Sequence, residues 1–349
     1  MNQLNLFIEL TRLKKPIGYM LLFWPCVWGL TLAYDFSERL DLYFFYLLLF
    51  FLGSVLMRSA GCIVNDIVDS KYDIKVERTK NRPIASGKIS KKLGILYTLS
   101  LCFLALLVLI NFNYLTIILA IISMPFAFTY PLMKRFTYWP QLFLGITFNY
   151  GLILGWTSTN NEINIIPIIL YIGAIFWTLG YDTIYGYQDI KDDEIIGLKS
   201  TSIKFKSNPY KFLSLCYSIF FLILLITGYM LKLNFFYYIF LIFIFLQMFL
   251  LQIKKLNFDV PSECLKTFKS NNALGLLIFI SLVIGLIYLF YKLFFWNSFT
   301  LGIAPVVIGI FIVSSIQITL LGLVGEYIGV ILLHQRNMPL VVEKERINF

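Results

Sequence analysis

Residues 44–83 read FFYLLLFFLGSVLMRSAGCIVNDIVDSKYDIKVERTKNRP. Up to Val64 the stretch is apolar except for small residues and one arginine, Arg58. Then come Asn65, Asp66, Asp69 and Asp73, and behind them Lys75, Arg78, Lys80 and Arg82. A helix needs roughly 20 mostly apolar residues to cross the hydrocarbon core of a bilayer, and this run supplies them. The stretch therefore reads as a membrane-spanning helix with a carboxylate cluster at its mouth and a cation cluster behind.

The rest of the chain repeats the pattern. Hydrophobic residues make up 59% of the 349 and charged residues 14%, against about 45–50% and about 25% in a soluble domain. Apolar stretches fall near 17–34, 43–64, 93–111, 114–130, 140–157, 165–185, 211–231, 235–252, 273–294 and 300–322. Only helices and closed barrels satisfy their backbone in lipid. Barrel strands would alternate polar and apolar residues, whereas these runs are apolar throughout. The expected fold is an all-α membrane protein: a nine-helix transmembrane bundle plus one further C-terminal span.

Lysine and arginine positions set the orientation. With the N-terminus in the cytoplasm, 25 of the 29 basic residues fall on that side, and Arg39, Lys232 and Lys292 fall outside. The net charge of +10 is thus an orientation signal and not a nucleic-acid surface. The five cysteines are scattered with no CxxC pair, and the single histidine, His334, lies near the C-terminus. Histidine catalysis, zinc sites and disulfides drop out.

The two longest cytoplasmic loops, 65–92 and 186–211, both open with acids. A shift of 116 residues superposes Asp66 on Asp182, Asp73 on Asp189 and Ile74–Lys75 on Ile190–Lys191. This reads as a parallel internal repeat of about four helices. At about 100° per helical residue, Asn65, Asp66, Asp69 and Asp73 share one face. On the same assumption so do Asp182, Asp189 and Asp193. Converging carboxylates repel and need cations. Oxygen ligands without His or Cys favour Mg²⁺, which binds through a few carboxylates together with substrate phosphates. The nearby cations, Lys75, Arg78, Lys80, Arg82, Lys134, Arg135 and Lys199, complete the equipment for a diphosphate. A diphosphate handled at a lipid-facing site points to a polyprenyl chain as its other half. Arg58 lies on the same face seven residues before Asn65. A charge inside the membrane is a functional candidate, and a guanidinium suits a planar carboxylate. A carboxylate-bearing second substrate would then sit deeper than the diphosphate.

NDIVDSKYD (65–73) resembles the NDxxDxxxD signature of the UbiA superfamily of intramembrane aromatic prenyltransferases. YDTIYGYQDIKDD (181–193) looks like its second Asp-rich motif, and YPLMK (130–134) fits its YxxxK element. RLKKPIGYMLLFWP (12–25), NRPIASG (81–87) and YPLMKRFTYWPQLFLG (130–145) resemble the branch that prenylates 4-hydroxybenzoate in ubiquinone synthesis. The resemblance implies a helical bundle around a central cavity open sideways to lipid, in a bacterial inner membrane, with the active site facing the cytoplasm. It implies Mg²⁺ and diphosphate bound by Asp66, Asp69, Asp73, Asp182, Asp189 and Asp193 with Asn65. Asp69, Asp189, Lys134 and Arg135 would carry the chemistry, Tyr130 would help hold the diphosphate, and Arg58 would contact the benzoate carboxylate. The implied partners are polyprenyl diphosphate, 4-hydroxybenzoate and the bilayer. Other acceptors on the same fold (naphthoate, homogentisate or haem) and a cation transporter are the competing readings.

The prenyltransferase-like part is expected to span 1–297. Residues 298–349, with one further span, GEYIG (325–329) and RNMPLVVEKE (336–345), resemble the membrane anchor of polyprenyl-phosphate glycosyltransferases.

Overall fold

The computed structural model describes residues 3–36, 39–76 and 78–294 together with Gln317, and among them it is helical with no strand. The expected span at 300–322 and the domain boundary at 297 lie outside these residues. A compact unit runs from Met1 to Leu289.

A short helix α1 (Gln3–Thr11) leads into α2 (Ile17–Ala33), the 34-residue α3 (Leu40–Asp73), α4 (Lys91–Leu109) and α5 (Tyr114–Thr129). A 3₁₀ turn (Tyr130–Leu132) and the single-turn α6 (Met133–Phe136) follow, then α7 (Pro140–Asn149) and α8 (Gly151–Asn160). The second half contains α9 (Ile165–Gly186), the short α10 (Ile190–Ile196) and α11 (Thr201–Lys204), α12 (Pro209–Met230), α13 (Phe235–Leu246) with a π-helical continuation to Lys254, and α14 (Pro261–Phe294). Helix starts are marked in the sequence. Asn113 accepts from the Thr116 N–H at 2.9 Å, Asn164 from Ile166 at 3.0 Å and Asn234 from Phe236 at 2.8 Å. Pro140, Pro209 and Pro261 each open a helix, where a missing N–H costs nothing.

Among the described residues seven helices are long and apolar enough to cross a membrane. The other two apolar stretches expected to span are also helical. One, α2, is a 17-residue helix, and the other is divided at Tyr150 into α7 and α8. The chain is an integral membrane protein.

Small residues set the closest helix approach, as they do where lipid removes the hydrophobic drive for association. A β-carbon at Gly29 would lie 2.0 Å from the Leu152 carbonyl oxygen, and one at Gly155 would lie 2.2 Å from that of Cys26. Backbone contact of this kind locks α2 against α8. Inside the bundle Trp28 packs on Trp177 at 5.2 Å between ring centres, and Trp177 stacks on Phe220 at 5.9 Å. A group of polar side chains buried there pairs within itself. Trp177 donates to Asn271 at 2.8 Å, Asn271 and Gln252 exchange two bonds of 3.1 Å, and Tyr217 donates to Gln252 at 2.7 Å.

The repeat is visible in the packing: α3 lies along α4, and α9 lies along α12. A smaller cluster ties α1 to the site end of the bundle through Leu6, Leu10, Ala60, Ile63, Ile84 and Ile89.

Candidate active site

The site is built on the last turns of α3. This helix runs unbroken through the acidic motif, so the single-face expectation holds: Asp66, Asp69 and Asp73 are all buried. Thirty-four residues span about 51 Å, more than the roughly 30 Å of hydrocarbon, which carries the motif beyond the apolar zone.

Each buried carboxylate meets a cation. Asp66 accepts from Arg12 at 2.6 Å and from Arg82 at 3.2 Å. Asp73 accepts from Arg82 at 2.9 and 3.1 Å. Asp69 is bonded by Lys134, and Arg135 stands 3.6 Å from its other oxygen, Oδ1, which has no hydrogen-bond partner. Arg135 also donates to the Val68 carbonyl at 2.8 Å and lies over the Tyr72 ring at 5.1 Å. The 3₁₀ turn and α6 thus deliver Tyr130, Lys134 and Arg135 as one piece. Lys199, counted among the site cations in the sequence, instead braces that piece. Its N–H donates to the Lys134 carbonyl at 2.9 Å and its Nζ to that of Phe136 at 3.4 Å.

The second motif departs from its expectation. It is not one helix face, because α9 ends at Gly186 and Asp189 lies just before the separate α10. A β-carbon at Gly186 would lie 2.3 Å from Ser202 Oγ, so the turn is shaped by close packing under α11. Asp189 accepts two bonds from Arg78 Nε at 2.8 and 3.0 Å, and Arg78 reaches it across 111 residues of sequence. Asp193 is half-buried; desolvation, and then the charge of Asp189, push its pKa up to about 6. Asp182 stands apart from the other carboxylates, and the charge facing it is Arg58.

Beneath the carboxylates lies an apolar chamber of about 220 Å³, lined among others by Arg58, Tyr130, Phe148, Met57 and Ser54. Arg58 lies over the Phe148 ring at 5.3 Å, and its buried Nε has no hydrogen-bond partner. A β-carbon at Gly18 would fall 2.7 Å from that nitrogen, so the glycine of the PIG triplet makes room for the guanidinium. The chamber opens sideways, since its lining residues Leu106 and Ile121 are also exposed on the outside of α4 and α5.

The sequence reading missed Arg12. In the sequence it stands as an N-terminal positive charge and as the first residue of RLKKPIGYMLLFWP, with no role of its own, yet it ion-pairs with Asp66 from a left-handed backbone at φ 57°. That conformation is uncommon for a non-glycine residue, and among the described residues Asn161 and Lys232 share it. Gly18 and Phe148 were likewise not singled out.

A family model described as UbiA prenyltransferase family matches residues 22–274. The chain belongs to the UbiA prenyltransferase family. It is 44% identical over 281 residues to the 4-hydroxybenzoate polyprenyltransferase, mitochondrial, of Bos taurus, covering 80% of this chain and 75% of that one. It is 40% identical to 4-hydroxybenzoate geranyltransferase 1 of Lithospermum erythrorhizon, covering 80% and 90%. The structure of a UbiA homolog from Archaeoglobus fulgidus bound to GPP and Mg²⁺ superposes with a TM-score of 0.60 at 17% identity, covering 80% of this chain and 99% of that one. As a UbiA member the chain is a transferase. The mitochondrial relative gives no support to the bacterial inner membrane expected from the sequence.

The donors present fit Mg²⁺. Among the described residues no three carboxylates close around a single point, but Mg²⁺ commonly takes one or two carboxylates with substrate phosphates and water. The unpartnered Asp69 oxygen and the Asp189–Asp193 pair are donors of that kind.

Proposed function

We propose that this UbiA member transfers a polyprenyl group from polyprenyl diphosphate to carbon 3 of 4-hydroxybenzoate, with Mg²⁺. The observation that carries the reading is one buried arginine beneath a row of carboxylates. Arg58, its Nε unpaired in an apolar chamber, offers a seat for a planar carboxylate. About two to four helical turns away, Asp66, Asp69 and Asp73, with Lys134, Arg135 and Arg82, offer a seat for a metal-bound diphosphate. Two anion sites at two depths suit a donor and an acceptor of these classes. The names borne by relatives near 40% identity support the same pair of substrates.

In this reading Asp69, Asp189 and Asp193 hold Mg²⁺. Asp66 and Asp73 hold Arg12 and Arg82 in place around it, with Asn65 at the edge. When bound, Mg²⁺ supplies charge that stabilises the leaving diphosphate. Lys134, Arg135 and Tyr130 hold and polarise the diphosphate, and stationary cations of this kind act where leaving-group charge develops. Arg58 fixes the benzoate by its carboxylate, with the ring against Phe148. The allylic C–O bond breaks with its electron pair going to the diphosphate oxygen. The ring carbon ortho to the phenol forms the new C–C bond with a ring π-electron pair, and its proton then passes to the released diphosphate. The apolar walls keep water from the allylic carbon. Asp182, facing Arg58, belongs in this proposal with the acceptor chamber more than with the metal. The whole reaction draws on residues within 1–297, and the site opens on the cytoplasmic or matrix side, where the basic loops gather.

The test is detergent-solubilised protein with a prenyl diphosphate and labelled 4-hydroxybenzoate, run against a naphthoate and homogentisate. Prenylated benzoate that vanishes in excess chelator and returns with Mg²⁺ is the expected result. Turnover of another acceptor alone, or full turnover in chelator, overturns it.

A further inference from the structure

The geometry points to Gly53, together with a floor formed by Phe50 and Phe112, as the gauge that sets how long a donor chain the enzyme prefers. The inference rests on the prenyl-diphosphate reading above and concerns the end of the chamber farthest from the carboxylates.

From Asp69 to Gly53 α3 runs sixteen residues without a break, about 24 Å. A donor whose diphosphate sits at Asp69 therefore carries its isoprene tail down this wall past Arg58 towards Gly53. There the wall recedes. A β-carbon at Gly53 would meet nothing within 4 Å, although Gly53 lines the chamber. Most helical glycines in this bundle are glycines because a neighbour touches them, as at Gly29, Gly155 and Gly180. Gly53 has no such packing reason. What its missing side chain provides is width in the chamber.

One turn further on the chamber is closed. The Phe50 and Phe112 rings lie 4.7 Å apart, and Tyr46 stacks on Phe112 at 5.5 Å. The loop that carries Phe112 is pinned, because Asn113 donates to the Thr157 carbonyl at 2.6 Å. At about this depth Leu106 and Ile121 open the chamber to lipid. A short tail ends inside the chamber above Gly53. A long tail reaches the floor and turns outward at the constriction that Gly53 keeps open. One missing or added methylene in an apolar pocket changes discrimination by about 10–200-fold, so a bulky side chain at Gly53 acts on long tails far more than on short ones.

The experiment is a Gly53→Ala, Gly53→Leu, Gly53→Phe series and Phe112→Ala. Each is assayed as full-length protein in detergent, with kcat/KM for geranyl diphosphate divided by that for decaprenyl diphosphate. The ratio is expected to climb with side-chain size, by about tenfold or more at Gly53→Phe, and to fall in Phe112→Ala. Thermal unfolding in detergent reports folding, and the Ala and Leu members carry the trend where Phe fails to fold. A ratio that stays flat across the series, or equal loss of both donors in folded protein, overturns the gauge while leaving prenyl transfer intact. No product from the unsubstituted protein with either donor overturns the prenyl-transfer reading and the gauge with it.

Discussion

The two halves of the bundle follow one helical plan and end it differently. In the first half α3 carries its acids on an unbroken helix, and Asp66, Asp69 and Asp73 are buried among Arg12, Arg82, Lys134 and Arg135. In the second half α9 stops at Gly186, and Asp189 and Asp193 sit on the turn and helix beyond it, half-buried, with Arg78 as the guanidinium bonded to Asp189. The same motif spacing therefore serves two physical situations. A buried carboxylate must be neutralised where it stands, so the first motif is scaffold as well as site. A half-exposed carboxylate keeps part of its hydration and remains open to a metal and a phosphate.

The largest effect expected from this contrast is on stability. Asp66→Ala leaves Arg12 and Arg82 facing one another in a largely buried place, and breaking a buried pair costs about 3–5 kcal/mol. Unfolding followed in detergent should show it. A variant as stable as the parent would erase the distinction between the halves.

Next comes Asp189→Ala. Its partner Arg78 is 42% exposed in its side chain, and exposed pairs contribute little to stability. The unfolding midpoint should move little, while kcat should fall about 10²–10³-fold, the usual cost of losing one group that stabilises developing charge. A collapse in stability with kcat preserved in the surviving protein would place Asp189 in the scaffold with Asp66.

The smallest of the three is Arg58→Ala. It removes a charged hydrogen bond to the acceptor, about 1.5–3 kcal/mol, or roughly 10–100-fold in the acceptor's KM, with the donor's KM moving less. A rise confined to the donor would assign Arg58 to the diphosphate and leave the acceptor without its cation.

Much of this protein was legible in order along the chain. Apolar runs of spanning length dictated helices, because no other open structure satisfies its backbone in lipid. The period of an α-helix placed Asn65, Asp66, Asp69, Asp73 and Arg58 on one face, and α3, being unbroken, kept that promise. The same arithmetic failed for Asp182, Asp189 and Asp193, since it assumed a helix that tight packing at Gly186 ends. The basic residues were visible as a group, but their pairing was not. Arg12 meets Asp66 across 54 residues, Lys134 meets Asp69 across 65 and Arg78 meets Asp189 across 111. Sequence alone determined the helices, the gathering of charge in the loops at their ends and the kinds of group available for chemistry, because these follow from local period and hydropathy. Tertiary structure decided which cation answers which carboxylate, where Arg58 finds room beside Gly18, and how wide and deep the chamber runs at Gly53 and Phe112. Those depend on how helices distant in sequence pack together, and no local pattern encodes that distance.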